Sequence, residues 1–133
     1  MVGVSCCLLE LPNNKLVFQR RTTDAPVSAH KLDFFGGHHE PGESYEETIK
    51  RELAEETSLN VGQLKIKYLG TYDNSQTGTR MHFYLAHILK SDFHVYEGEA
   101  EEVYSLEQVL ARTDLDPDTR VLLDQYRNLK SRS

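Results

Sequence analysis

The order of apolar and polar residues predicts strands and turns in the first quarter of the chain. Residues 2–10 form a nearly continuous apolar run, which is typical of a buried strand. The sequence Pro-Asn-Asn at 12–14 predicts a turn, and residues 15–20 return as a second strand. A polar loop is expected over 21–30, followed by a short apolar run at 32–35 that leads into a pair of glycines.

The middle of the chain changes from a helical to an alternating pattern. Residues 44–57 carry the apolar spacing of a helix, with Tyr45, Ile49 and Leu53 predicted as its core stripe. Apolar and polar residues then alternate over 64–68, which predicts a half-exposed strand. A turn at 74–78 and another strand near 80–90 are expected to follow.

Capping signals place two more helices near the end of the chain. After an acidic loop expected over 97–102 and a short extended piece, Ser105 and Gln108 have the spacing of a capping box. Asp116 is suited to cap a last helix that has Pro117 at its first position. Strands mixed with three helices predict an α/β or α+β sandwich, whose strand order the pattern leaves open.

Composition narrows the class of protein. A chain of 133 residues with 38% hydrophobic residues fits one domain, expected over 1–133. The net charge of −6 argues against binding to a DNA duplex, which requires a basic surface. The apolar stretch over 2–11 is too short to span a membrane and lacks the flanks of a signal peptide. With Cys6 and Cys7 expected to be reduced, the chain is expected to be cytoplasmic.

Acidic residues are concentrated between positions 40 and 56. Ser44 and Glu47 have the spacing of a capping box, and Glu46 falls in the first turn, where the helix dipole favours negative charge. Glu46 and Glu47 are therefore explained by their contribution to helix stability. The complete set of carboxylates in this segment is Glu40, Glu43, Glu46, Glu47, Glu52, Glu55 and Glu56.

Three of these acids contradict the rules for a stable helix. Glu52, Glu55 and Glu56 fall within an arc of about 100° and repel one another at three- and four-residue spacings. They also lie near the carboxyl end of the helix, where the dipole disfavours anions. A hard divalent cation such as Mg²⁺ or Mn²⁺ would reverse this penalty. The alternative is a solvated acidic face, which leaves the nearby glycines at 36, 37 and 42 unexplained.

The same segment resembles the Nudix box, G-x5-E-x7-R-E-U-x-E-E-x-G-U, where U is a bulky apolar residue. The matching residues are Gly37, Glu43, Arg51, Glu52, Leu53, Glu55, Glu56 and Leu59. Ser58 stands where the box has its last glycine, and a non-glycine residue in the left-handed conformation after a helix would cost roughly 1 kcal/mol. The resemblance implies an α/β/α sandwich around a central mixed β-sheet.

The resemblance also implies an activity and a set of roles. Members of the family hydrolyse a nucleoside diphosphate linked to another moiety, by attack of water on phosphorus assisted by Mg²⁺ or Mn²⁺. Glu52, Glu55 and Glu56 would be metal ligands, and Glu52 would also orient or deprotonate the water. Arg51 would orient these carboxylates. Gly37 would support the loop, Glu43 would support the loop or bind metal through water, and the Gly36 carbonyl would be a further ligand.

The sequence signals for site residues outside the box are less specific. Many relatives use an additional acid from a later loop, for which Glu97, Glu99, Glu101 and Glu102 are available. Glu99 is favoured, although a solvated loop explains four acids equally well. Arg20 and Arg21 end the second strand and are candidates for phosphate contacts or for ordinary surface positions. Aromatic residues available to stack on a base are Phe34, Phe35, Tyr72 and Tyr84, each of which is also suited to the core.

The sequence leaves the substrate open. The small size favours a nucleoside triphosphate, oxidised forms included, while nucleotide sugars, dinucleoside polyphosphates and RNA 5′ ends are alternatives. Two hypotheses from other classes are a non-catalytic nucleotide-binding module and an acidic helix that only buffers metal. The expected partner is a small nucleotide, with no membrane contact, and the oligomeric state is open.

Overall fold

The computed structural model describes residues 1–22, 29–89, 93–96 and 100–132. These residues form strands β1 (Val2–Glu10), β2 (Lys15–Arg20), β3 (Leu32–Asp33) and β4 (Phe35–His38), helix α1 (Tyr45–Glu56), a 3-10 turn (Val61–Gln63), strands β5 (Ile66–Asn74), β6 (Thr79–His87) and β7 (Ala100–Ser105), and helices α2 (Leu106–Leu110) and α3 (Pro117–Ser131). The described residues place all of these strands in one sheet.

The sheet is mixed, and its first strand divides it. The main strand order is β3-β2-β1-β6-β5, with β1 parallel to β6 and the other neighbours antiparallel. On its second edge, β1 pairs with β4 over Val4–Cys7 and with β2 at Leu9 and Glu10. Strand β7 pairs with β2 on the side away from this fork. Strands β2 and β4 therefore diverge from β1 at one point, here called the fork.

Two apolar cores lie on the two faces of the sheet. Ile49 and Leu53 of α1 pack with Cys7 on one face, whereas Leu122 of α3 packs with Cys6 on the other. Successive strand residues point to opposite faces, so the adjacent cysteines enter different cores, as predicted, and neither forms a disulfide. The α/β/α sandwich around a mixed sheet is confirmed. No helix in the described part of the chain is long and apolar enough to cross a membrane.

Local capping signals predicted the helices well. Ser44 and Glu47 form the reciprocal capping box of α1, and Ser105 and Gln108 form that of α2. Asp116 caps α3 through the backbone N–H groups of its first turn. The core stripe of α1 was wrong at one position, since Tyr45 is 46% exposed while Ile49 and Leu53 are fully buried.

The boundaries of several strands differ from those that the sequence predicts. The paired glycines are not in a loop, because residues 35–38 form β4 against β1. Strand β5 continues to Asn74 rather than ending near residue 68. The predicted loop over 97–102 is partly wrong, since residues 100–102 begin β7, and residues 97–99 lie outside the described part. Residues 23–28 of the predicted loop 21–30 also lie outside it.

The end of α1 explains how Ser58 is tolerated. Thr57 leaves the helix in an extended conformation, with φ −136° and ψ 165°, and Ser58 is not among the described residues with positive φ. The Ser58 backbone N–H donates to the His94 carbonyl at 2.9 Å, and the His94 N–H donates to Ser58 Oγ at 2.8 Å. The expected strain of a left-handed serine is therefore absent, because the chain exits α1 as a strand-like segment.

Candidate active site

Glu56 occupies the fork of the sheet and is held from both branches. Its side chain is only 4% exposed. Oε1 accepts a hydrogen bond from the Gly36 backbone N–H of β4 at 2.9 Å, and Oε2 accepts one from Gln19 Nε2 of β2 at 3.3 Å. Gln19 also donates to the Phe34 carbonyl at 2.9 Å. Sequence reasoning missed Gln19, for which the available signal was a polar residue at a buried position of β2.

Glycine is required where β4 passes beneath α1. A Cβ atom at Gly37 would lie 2.3 Å from Glu52 Oε1, so any side chain would displace that carboxylate. A Cβ atom at Gly36 would lie 2.1 Å from the Ser5 carbonyl oxygen, and Gly36 has a φ of +154°, which other residues rarely adopt. The paired glycines thus allow close contact of β4 with both β1 and the side of α1 that carries Glu52, Glu55 and Glu56, here called the acidic flank.

The Arg51 guanidinium contacts Glu52 and Glu55 of this flank and also Glu43, which precedes α1. Its Nε donates to Glu43 Oε2 at 2.6 Å and its Nη2 to Glu43 Oε1 at 3.0 Å, a bidentate pair. Its Nη1 lies 3.0 Å from Glu52 Oε1 and 3.3 Å from both carboxylate oxygens of Glu55. Nη2 also donates to the His38 carbonyl at 3.0 Å, which ties α1 to β4. One guanidinium therefore positions Glu43, Glu52 and Glu55, and its single positive charge offsets part of their negative charge.

Glu43 accepts several hydrogen bonds next to the start of α1. Besides its contacts with Arg51, Oε1 accepts hydrogen bonds from Thr48 Oγ1 at 3.0 Å and from the Glu40 backbone N–H at 2.9 Å. The adjacent guanidinium, followed by these hydrogen bonds, lowers the pKa of Glu43 to about 2. The pKa of Arg51 is raised, mainly by its hydrogen bond to Glu43. Both groups stay charged at neutral pH.

Arg20 lies on the face of the sheet opposite to α1. It shares the face of Phe18, which packs in the α3 core, and its guanidinium binds Glu102 at 2.7 Å and Asp114 at 2.6 Å. These ion pairs place the Arg20 side chain away from α1, and its contact with phosphate stays a prediction. Arg21 lies 3.5 Å from Asp33 in an ion pair, and its phosphate contact stays a prediction.

The candidate acids outside the box fall on different faces. Glu102 is opposite Phe18 in the β2–β7 ladder and contacts Arg20, so it belongs to the α3 face. Glu101 is opposite Gln19, and paired residues of an antiparallel ladder share a face, so Glu101 lies on the α1 face beside the residue that contacts Glu56. Glu97 and Glu99 lie outside the described residues, and Glu99 stays a prediction.

The donor set of the flank suits a hard divalent cation. Glu52, Glu55 and Glu56 supply only oxygen atoms, as Mg²⁺ and Mn²⁺ prefer. Within residues 1–22, 29–89, 93–96 and 100–132, no three acidic, histidine or cysteine side chains already converge on one point. Arg51 holds Glu52 and the half-exposed Glu55, while Glu56 is held at the fork.

One protein-family model covers nearly the whole chain. The model of the NUDIX domain matches residues 1–126. No curated protein sequence matches the chain significantly.

Solved structures share the fold at low sequence identity. DR0079 from Deinococcus radiodurans is 24% identical, with a TM-score of 0.82 over 93% of this chain and 82% of that one. A MutT protein from Methanosarcina mazei Go1 is 22% identical, with a TM-score of 0.81 over 97% and 94%. The NUDIX domain of Shewanella oneidensis NrtR, solved with ADP ribose, is 23% identical, with a TM-score of 0.78 over 98% and 88%.

Proposed function

The chain belongs to the NUDIX family, whose hydrolases act on pyrophosphate bonds, and from this premise we propose that it cleaves nucleoside diphosphates linked to a second moiety with the help of Mg²⁺ or Mn²⁺. The observation that carries the proposal is the attachment of two box carboxylates to β4. Gly36 donates to Glu56, and Gly37 leaves room for Glu52 in direct contact. This attachment gives the acids fixed positions, which a merely solvated acidic face would not require.

The proposed ion-binding residues are Glu52, Glu55 and Glu56, with the Gly36 carbonyl as a further ligand. A bound divalent ion lowers the pKa of water and stabilises charge that develops on phosphoryl oxygens. Glu52 lies at the interface of α1 with β4, and we assign to it the orientation of the attacking water. Arg51 contacts Glu52 and Glu55 and limits the rotation of their side chains. Gln19 holds Glu56 from the second branch of the fork.

Glu101 is the described acid from outside the box that fits this site best. It lies on the α1 face and faces Gln19, which contacts Glu56. We therefore propose that Glu101 takes part in binding the ion or in accepting a proton from water. Glu99, which the sequence favours, stays as the alternative.

The proposed substrate is a nucleoside triphosphate or a similar small nucleotide, oxidised forms included. Nucleotide sugars, dinucleoside polyphosphates and RNA 5′ ends contain the same pyrophosphate unit and stay as alternatives. The ADP ribose bound by the Shewanella NUDIX domain also contains this unit, which supports the substrate class without selecting a member.

A substrate panel tests the proposal. The protein is incubated with nucleoside triphosphates, 8-oxo-dGTP, dinucleoside polyphosphates, ADP ribose and nucleotide sugars, with Mg²⁺, Mn²⁺ or EDTA. The expected result is cleavage of at least one substrate that depends on the divalent ion. Tight nucleotide binding without cleavage would instead favour a non-catalytic module. Metal binding that adds no affinity for any nucleotide would favour a metal-buffering helix.

Glu56→Gln is expected to lower turnover at least ~100-fold, because it removes a preorganised charge at the proposed ion site. Glu46→Gln is the matched control, since Glu46 lies on the same helix but outside the acidic flank. Steady-state rates of both variants, measured on the best substrate of the panel, provide the comparison. Full activity of Glu56→Gln, with unchanged metal dependence, would contradict the assignment.

A further inference from the structure

A cleft lies outside the acidic flank, between the start of α1 and the strands β5 and β6. It encloses about 780 Å³. Tyr45 is seven residues before Glu52, which at ~1.5 Å per residue places it about 10 Å away along the helix axis. Glu46 lies on the other flank of α1, and its negative charge, after burial, helps to raise the pKa of Tyr84 in the cleft. The lining residues are Tyr45, Tyr68, Thr71, Asp73, Arg80, His82 and Tyr84.

His82 is a buried polar side chain to which no other described residue is hydrogen-bonded. It is 5% exposed, and among the described residues neither Nδ1 nor Nε2 has a hydrogen-bond partner. Burial, followed by the charges of His39 and Arg80, lowers the pKa of His82, so the ring is neutral near pH 7. A neutral imidazole offers one N–H donor and one acceptor nitrogen. Since buried polar groups are normally paired, this ring suits a ligand edge that both accepts and donates.

The rest of the lining offers flat aromatic surface without net charge. Tyr45 and Tyr68 are 46% and 50% exposed, and the Tyr45 ring covers His82 with a centroid separation of 3.4 Å. At the rim, Arg80 donates to both carboxylate oxygens of Asp73, at 2.8 and 3.0 Å, so these charges cancel. Because these charges cancel, the lining offers neither a free cation to an anionic ligand nor a free carboxylate that would add to the weak attraction of the ring faces for a cation. The lining therefore suits a neutral planar ring.

We propose that this cleft binds the base of a nucleoside or nucleotide, at a site separate from the acidic flank. The base stacks on the exposed tyrosine rings, and Tyr45 turns aside so that the polar edge of the base meets His82. Stacking on aromatic side chains and hydrogen bonding along the base edge are the usual means by which proteins hold an unpaired base. The proposal does not depend on hydrolysis, because neither Glu52 nor Glu56 lines the cleft.

Binding of free nucleosides without divalent metal tests the proposal, because these probes lack the phosphates that the acidic flank would require. Adenosine, guanosine, cytidine and uridine are titrated into the full chain by calorimetry, and the imidazole nitrogens are followed by ¹⁵N NMR. At least one nucleoside is expected to bind and to shift the His82 nitrogens. Its affinity is expected to be the same in Glu52→Gln. If no nucleoside binds, or if Glu52→Gln abolishes binding, the proposal is overturned.

His82→Phe keeps an aromatic ring but removes both nitrogens, and it is expected to weaken nucleoside binding at least about tenfold. His87→Phe on the same strand is the matched control, because its side chain is exposed beyond the cleft. If His82→Phe fails to fold, Tyr45→Leu provides a second variant with an expected loss of similar size. Unchanged binding in the folded variants, or tighter binding of tetramethylammonium than of any nucleoside, would overturn the proposal.

Discussion

Arg51 explains how three crowded glutamates are compatible with a stable helix. Carboxylates at three- and four-residue spacing repel one another, and the carboxyl end of a helix disfavours them further. The guanidinium reduces both penalties by contacting Glu52 and Glu55 while it is anchored on Glu43. At the residue scale, the site therefore contains an internal cation that holds the acids in place before any ion binds.

The side chains of Glu101 and Glu102 lie on opposite faces of the sheet, which yields a prediction for each residue. We expect Glu101→Gln to lower turnover about tenfold or more, because its side chain shares the face of the proposed ion site. Glu102→Gln should instead lower stability and leave turnover within about twofold, since Glu102 pairs with Arg20 on the other face. Steady-state rates and urea unfolding of both variants distinguish the two roles. Equal loss of turnover in both variants would contradict the assignment by face.

Asp33 provides a prediction about pH. Burial, followed by the charge of Asp116, raises the pKa of its carboxyl to about 6. A raised pKa means that the folded state prefers the proton, so this stabilising contribution is present below about pH 4 and is lost as the pH rises through about 6. Asp33→Asn should therefore stabilise the protein at pH 7.5 by up to about 2 kcal/mol, relative to its effect at pH 4.

Urea unfolding of the wild type and Asp33→Asn at both pH values measures this difference. The amide oxygen can still accept the hydrogen bonds that Thr119 Oγ1 and the Phe34 N–H now donate to Oδ1. An effect of the substitution that is equal at the two pH values would show that Asp33 does not titrate in this range.

At the scale of elements, local signals predicted the helices, and long-range contacts decided the strands. A capping box acts within four residues, so Ser44 with Glu47 and Ser105 with Gln108 could be identified from the sequence. The pairing of Gly36-Gly37 with Ser5 and Cys6 depends on residues about thirty positions away, which no local pattern shows. Tyr45 had core spacing on α1 but lies above the cleft, where the adjoining sheet does not cover it.

The chain leaves α1 in an extended conformation, and this yields a prediction that differs from the glycine of the Nudix box. Ser58→Gly restores the glycine of the box, yet we expect it to destabilise the protein by roughly 0.5–1 kcal/mol. No positive φ is required there, so glycine adds only freedom to the unfolded chain and loses the hydrogen bond from His94. Urea unfolding of Ser58→Gly and Ser58→Ala separates the backbone effect from loss of the hydroxyl. A gain of stability in Ser58→Gly would indicate that the helix ends in the left-handed conformation.

At the scale of the whole molecule, ion binding should stabilise the fold. A ligand that binds only the folded state at one hundred times its dissociation constant adds about 2.7 kcal/mol, which corresponds to a rise in Tm of several degrees. We expect Mg²⁺ or Mn²⁺ to produce this shift, EDTA to reverse it, and Glu56→Gln to reduce it. Thermal unfolding monitored by circular dichroism measures it. An unchanged Tm at millimolar concentrations of both ions would contradict the proposed ion site.

The sequence identified the box residues of the candidate site but not the residues that hold them. Glu52, Glu55 and Glu56 stand out because they violate helix rules within a few residues of one another. Gln19 reaches Glu56 only because β2 and β4 diverge from β1, and Glu101 reaches that face only through its register with β2. Such placements follow from strand order and register, which the sequence left open.

The anchoring of Glu56 at the fork has a consequence for the order in which the molecule assembles. Gln19, Gly36 and Glu56 come from three distant parts of the chain, and they meet only after β2 and β4 have both docked on β1. Closing such loops is slow compared with winding a helix. A nascent or partly folded chain can therefore carry a complete acidic helix and still be catalytically silent.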